Sequence, residues 1–242
     1  MAQWISHLIV ADQVLESLPM LCRHEFCVGN IAPDCNLVND DWTVFTPSRE
    51  ITHWMNGNRK DIADAAAFFN EYIIKRMDII HTKEELSFLL GYYSHLVTDA
   101  ILQMMIRDEN RIQLAWNRIQ QIPDLQNKID GMDASWDNIK KIISKEERMK
   151  DFYSFEREYL DSHPHSGYFT EIQNLTSFPD YIDYLPKGAI AIKVKKMFYI
   201  PSIEYGTYPY IAFSKEEYLE FLNHSIQQVN QAIQEIVYEK CQ

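Results

Sequence analysis

Residues 86–106 read LSFLLGYYSHLVTDAILQMMI, and Asp99 is the only charged side chain in the stretch. Its length approaches that of a membrane span, but Ser94, His95, Thr98, Asp99 and Gln103 would place too many polar groups in hydrocarbon. The pattern predicts a helix buried inside protein. On a helix, His95 and Asp99, four residues apart, lie one turn apart on the same face and meet a common partner. A buried ionised carboxylate needs a compensating cation, and this segment contains no Lys or Arg. A metal ion meets that need; so does an arginine brought from elsewhere in the chain, with His95 then an ordinary core histidine.

Working outward, Trp4, Leu8, Ala11 and Leu15 recur at helical spacing over residues 2–18, which end before Pro19. Residues 22–58 lose periodicity and carry Asn30, Pro33, Pro47 and Gly57, a long irregular segment of the kind that usually carries function. Helical patterning returns over 61–75, 83–106, 110–122, 134–143 and 145–160. A second irregular segment over 161–213 holds His163, His165, Gly206 and Pro209, and its alternating run 189–195, AIAIKVK, reads as a strand. Ser214 and Glu217 form a capping-box signature for a last helix over 214–239. With local connections throughout, the expectation is one all-α domain over residues 1–242.

Composition agrees. In 242 residues, 46% hydrophobic and 24% charged, only 7 Gly and 9 Pro leave little room for a turn-dense β-sandwich or a disordered tail. The 23 Lys and Arg against 35 Asp and Glu give a net charge of −12, which argues against a duplex-binding scaffold. It leaves a phosphoesterase open, because bound metal ions reverse the field inside a cleft. The first residues show no basic region leading into a long apolar run, and Asp12 and Glu16 break the apolar stretch after His7, so a cytoplasmic location is expected. Cys22, Cys27, Cys35 and Cys241 form no Cys-x-x-Cys pair and are expected to be reduced, buried thiols, with the first three as weaker metal candidates.

Further ligands for a metal at His95 and Asp99 are sought among isolated polar residues in apolar or loop contexts. His7 lies on the apolar side of the first helical segment, Asp34 ends the constrained run Gly29-Asn30-Ile31-Ala32-Pro33, and His53 sits in Ile51-Thr52-His53-Trp54. Imidazoles and carboxylates together suit a divalent metal, zinc first.

The order of these motifs resembles the zinc-dependent phospholipase C family, which shares an all-α fold with the P1/S1 nucleases. The resemblance spans residues 4–106 and is most specific at 29–34 and 91–99. It implies that His53, His95 and Asp99 bind one zinc, with Asp34 as ligand or general base, and that Asp99 bridges to a second zinc also held by His7. In secreted members an N-terminal Trp completes that second site; Trp4 here is internal, and the alternative is a free amine left nearby by removal of Met1 before the small Ala2. Family members hold a third zinc with further histidines, but this chain has no histidine between His95 and His163. That site is expected to be absent, or rebuilt from His163 and His165, or from His224 with Gln228, so one or two zinc ions are expected.

The chemistry implied is zinc-activated water attacking a phosphate ester, a phospholipase C-like phosphodiesterase with a small phosphate ester or phospholipid-like substrate. Trp42, Phe45, Trp54, Tyr92 and Tyr93 are candidates for an apolar substrate wall, and Lys193, Lys195 and Lys196 form a tight basic cluster, read as a solvated edge or as a contact to a phosphate or an acidic membrane surface. Two alternatives are a non-catalytic family member that binds a ligand or partner, and a single-strand nuclease of the same fold. Backbone carbonyls or nearby carboxylates are expected to hold the outer nitrogens of His53 and His95.

Overall fold

The computed structural model describes residues 2–41, 43–55, 62–203 and 210–241. In chain order the helices are α1 (Trp4–Ser17), α2 (Arg23–Gly29), α3 (Arg49–Thr52), α4 (Ala65–Phe68), α5 (Lys83–Met105), α6 (Glu109–Gln120), α7 (Pro123–Gln126), α8 (Trp136–Ile142), α9 (Lys145–Ser162), α10 (Ala189–Met197) and α11 (Lys215–Lys240). Among the described residues the one sheet is a pair of two-residue antiparallel strands, β1 (Leu37–Val38) and β2 (Phe45–Thr46), with Leu37 opposite Thr46. The fold is all-α. No helix among the described residues is long and apolar enough to cross a membrane.

The 86–106 segment lies in α5, whose first turn is capped by the Thr82 hydroxyl accepting from the Glu85 amide. Its polar residues are buried rather than lipid-facing: Ser94, His95, Thr98 and Asp99 are all inaccessible. Thr98 satisfies its hydroxyl within the helix by donating to the Ser94 carbonyl at 2.8 Å. Around α5 pack α2, α11 and α1. The α2–α5 crossing is backbone against backbone: a Cβ on Gly29 would lie 2.2 Å from the Phe88 carbonyl oxygen, and one on Gly91 2.3 Å from that of Phe26. Two glycines thus bring the 29–34 motif onto the 91–99 motif.

On α11 the expected capping box is present, and Tyr218, Phe221, Leu222, Ser225, Val229, Ile233 and Val237 form its buried stripe at helical spacing. A smaller apolar cluster joins Ile112, Trp116 and Ile119 of α6 to Ile139 and Ile142 of α8.

The structure corrects the reading of 189–195: it is helical, as α10. An alternating run of Ala, Ile and Val also satisfies a helix if its partners lie four residues apart, and Ala189, Ile190, Lys193 and Val194 are the buried positions. The irregular segment 22–58 contains α2 and α3, too short for periodicity to reveal. Over 61–75, α4 begins at Ala65 and continues into a π-helical turn, Phe69–Ile74. Trp42, Gly57, Asp61, Gly206 and Pro209 lie outside the described residues. All four cysteines are free. Burial raises the thiol pKa of Cys27 and of Cys35, consistent with inert packing.

Candidate metal centre

Four short pieces of backbone deliver five side chains to one place. His7 comes from the first turns of α1, Asp34 from the end of a 3-10 turn (Ala32–Asp34) stiffened by Pro33, His53 from the residue capping α3, and His95 and Asp99 from the middle of α5. His7, His95 and Asp99 are fully buried, His53 nearly so, and Asp34 is the most accessible, with 16% of its side chain exposed.

His53 Nε2 lies 3.3 Å from His95 Nε2, 3.5 Å from Asp34 Oδ1 and 3.5 Å from Asp99 Oδ2. With metal–ligand bonds of about 2.0–2.1 Å, the edge of a zinc tetrahedron is about 3.3–3.4 Å, so each of the three stands from His53 Nε2 at about the separation of two ligands on one such ion. Asp34, His53 and His95 form one group whose ligand atoms lie within 4.8 Å of one another, and His7, His95 and Asp99 form another.

The outer nitrogens make the inner ones available. His95 Nδ1 is 2.8 Å from the Asn30 carbonyl oxygen, which only accepts, so Nδ1 carries the proton and Nε2 presents its lone pair. Burial first, and then the charge of His7, lowers the His95 pKa to about 3, keeping the ring neutral as a ligand must be. His53 Nδ1 is 3.0 Å from the Thr52 hydroxyl, which donates on to the Arg49 carbonyl at 3.3 Å. That direction of donation leaves His53 Nε2 as a second lone pair facing the first, a repulsive arrangement that a cation resolves. The Thr52 carbonyl is held in turn by the Tyr92 hydroxyl at 2.6 Å, and Tyr92 accepts from Tyr184, which accepts from the Trp54 indole. The expected carbonyl acceptor is present for His95; for His53 it is a hydroxyl.

Both ring nitrogens of His7 are buried with no hydrogen-bond partner. The His7 ring lies flat on that of His95, with centroids 3.7 Å apart and planes 8° from parallel, and its Nε2 is 3.6 Å from Asp99 Oδ1. Buried donors left without partners are what a polar occupant would satisfy. The donor set therefore fits a divalent metal.

Asp34 also accepts from the Trp4 indole at 3.1 Å. Burial alone would raise its pKa, but the close approach of the His53 and His95 imidazoles and the positive charge of Arg49 outweigh burial and hold it well below the usual carboxylate range. It is ionised at any physiological pH.

Asp34 and His53 open on a cleft of about 750 Å³, with His7, His95 and Asp99 buried behind them. Arg49, Arg107, Lys145 and Lys193 contribute to its walls together with apolar side chains such as Phe45, Met149 and Met197. In a chain of net charge −12 this is a local excess of cations. Of the aromatic residues proposed from sequence, Phe45 lines the cleft, whereas Trp54, Tyr92 and Tyr93 pack into the core. Lys193 leaves the basic cluster, turning inward to donate to the Asn36 carbonyl at 3.0 Å, while Lys195 and Lys196 are exposed.

The structure brings His7, Asp34, His53, His95 and Asp99 together, but not the remaining candidates. His163 is exposed and stacks on Tyr159, His165 is exposed with its carbonyl accepting from Arg23, and His224 and Gln228 lie on the solvent face of α11. No cysteine joins a metal-capable group among the described residues. Sequence reasoning missed Arg49, Trp4 and Thr52 as parts of the site. The signal for Thr52 was its adjacency to His53; Arg49 had none, because its partner is 50 positions away.

Compared with known families, residues 6–102 match the model of zinc-dependent phospholipase C, the family whose motifs the sequence resembles. The matched stretch contains all five converging residues, and the all-α architecture accords with that family's fold. No curated protein and no solved structure matches the chain. The match and the metal-capable residues support a metal-dependent hydrolase at the level of the family.

Proposed function

We propose that this protein is a zinc-dependent phosphoric ester hydrolase of the phospholipase C type, acting on a small phosphate ester or a phospholipid-like phosphodiester. The observation that carries the reading is the set of buried, correctly protonated donors, spaced 3.3–3.5 Å around His53 Nε2, at the floor of a cleft with cationic walls. His53, His95 and Asp99 would hold the ion, with Asp34 beside it as ligand or general base. Zinc, when bound, lowers the pKa of a coordinated water toward neutrality and withdraws charge from a phosphoryl oxygen.

The chain's own residues do the rest. Asp34, ionised and fixed by the Trp4 indole, accepts or steers the proton of the attacking water. Arg49 and Lys193 draw the anionic ester into the cleft, and Phe45, Met149 and Met197 take its apolar part. We place the protein in the cytoplasm, which favours a soluble ester over bulk membrane lipid as substrate.

The deciding experiment measures zinc per chain by plasma mass spectrometry together with hydrolysis of a chromogenic phosphodiester, for wild type and Asp34→Asn. The expected result is bound zinc and hydrolysis in the wild type. In Asp34→Asn the rate should collapse by about 100-fold or more, with the melting temperature nearly intact. A folded wild type that takes up no added zinc would overturn the reading. A second reading, a non-catalytic family member, is favoured by the missing third-site histidines, and zinc-loaded protein inert toward phosphodiesters and phosphomonoesters would establish it.

A further inference from the structure

Asp99 takes a positive partner from outside its own helix. Arg49, in the first turn of α3, donates from Nη2 to Asp99 Oδ2 at 2.9 Å, and its side chain is about four-fifths buried, with 21% exposed. The same side chain lines the cleft beside Asp34 and His53. The other carboxylate oxygen, Oδ1, accepts from the Ala2 amide nitrogen at 2.8 Å and stands 3.6 Å from His7 Nε2. Among the described residues, Asp99 is the ion-pair partner of the Arg49 guanidinium.

The two metal-capable groups both depend on His95, and His95 cannot serve both. Its Nδ1 donates to Asn30, so Nε2 holds the single lone pair it has to offer, and one imidazole nitrogen ligates one ion. That lone pair lies in the ring plane. The His53 ring meets His95 edge-on at 67°, with the two Nε2 atoms facing each other at 3.3 Å. The His7 ring instead lies over the face of His95, 8° from parallel, so the lone pairs of these two rings lie in parallel planes and do not meet at one point. His95 therefore belongs with Asp34 and His53, and the group containing His7 is left with two ligands, His7 and Asp99, fewer than the three a bound zinc takes from protein.

We propose that Arg49 is the second cation of this centre: the chain binds a single zinc, and the Arg49 guanidinium takes the place of a second ion, neutralising Asp99 and presenting its remaining N–H donors to an oxygen of an anionic phosphoryl group. A carboxylate accepts at both oxygens, so Asp99 Oδ2 can face the zinc and Arg49 together. The planar fork of a guanidinium suits phosphoryl oxygens better than a lysine ammonium does, and it cannot lose its charge at physiological pH. The inference rests on the hydrolase reading above and assigns its ion count and the residue that binds the phosphoryl group.

The test uses the full chain, with zinc counted by plasma mass spectrometry after loading and gel filtration. Inorganic phosphate affinity of the zinc-loaded protein is measured by calorimetric titration. The expected result is one zinc in the wild type and in Arg49→Met, because the group containing His7 stays short of ligands, with phosphate affinity falling at least ten-fold in that variant. Arg49→Lys, which keeps the charge and guards against a folding failure of the first variant, should retain one zinc but bind phosphate more weakly than wild type. Two zinc ions in the wild type would overturn the role of Arg49 while leaving the hydrolase reading standing, and no zinc would overturn the hydrolase reading itself. One zinc in wild type and both variants, with unchanged phosphate affinity, would also overturn the proposal.

Discussion

Gly91→Ala should damage stability and metal binding together, because one backbone crossing supports both. The added Cβ would sit 2.3 Å from the Phe26 carbonyl oxygen, about 1.1 Å inside the 3.4 Å at which ordinary contact begins, and the obstacle is helix backbone rather than a mobile side chain. Either α2 retreats or α5 bends. If α2 retreats rigidly by that amount, the 2.8 Å bond between Asn30 and His95 Nδ1 stretches to about 4 Å and is lost. Overpacking of this kind costs about 1–3 kcal/mol, and the lost buried hydrogen bond adds about 1 kcal/mol. For a chain of this size a loss of about 3 kcal/mol lowers Tm by roughly 6–12 °C. Releasing the His95 ring should weaken zinc binding by about 10–100-fold. Thermal unfolding and zinc competition with a chromophoric chelator measure the two effects. Gly131→Ala is the comparison, since a Cβ there meets nothing within 4 Å and only the φ of +72° is strained. An unchanged Tm and zinc affinity in Gly91→Ala would refute the argument that the crossing sets the site.

Thr52→Val removes the hydroxyl that faces His53 Nδ1 at 3.0 Å while keeping the carbonyl that Tyr92 holds. Zinc affinity should fall about ten-fold with Tm little changed, and the same chelator competition checks it. Trp4→Phe deletes the indole donor to Asp34, so on a chromogenic phosphodiester kcat should fall about ten-fold with KM nearly constant; a change confined to KM would count against Asp34 as the group being positioned. Glu156 is fully buried and accepts from the Ser6 amide and hydroxyl, and burial pushes its pKa up to about 8 against those lowering bonds. Because the folded state holds this proton more tightly than the unfolded chain, the stabilisation is complete below the ordinary Glu range and is lost as pH rises toward 8. From pH 5 to 7 this amounts to on the order of 3 kcal/mol. Glu156→Gln should flatten that slope in denaturant unfolding followed across pH, and an unaltered slope would exclude Glu156 as its source.

The helices were legible where the pattern was long. Residues 86–106 announced a buried helix through an apolar run broken by one charge, and α11 announced its first turn through Ser214 and Glu217. The types of side chain suited to zinc were legible too, because His7, Asp34, His53, His95 and Asp99 each stand out from their immediate neighbours. The run 189–195 was not legible: seven residues of Ala, Ile, Val and Lys satisfy a period of two and a period near four equally well, and packing chose the helix.

Periodicity, caps and donor chemistry are local properties, carried within a few turns of chain, and for this protein they reach as far as an all-α fold and a set of zinc-type ligands. Partner choice is not local. Asp99 demanded a cation on grounds visible in the sequence, yet that Arg49 supplies one, that Trp4 holds Asp34 and that Lys193 turns inward all depend on contacts between residues 30 to 157 positions apart. Such contacts are set by how α2 and α5 cross at Gly29 and Gly91 and by which loops the crossing brings over the cleft. The energy that selects them comes from burying the whole core at once, so no single segment encodes it.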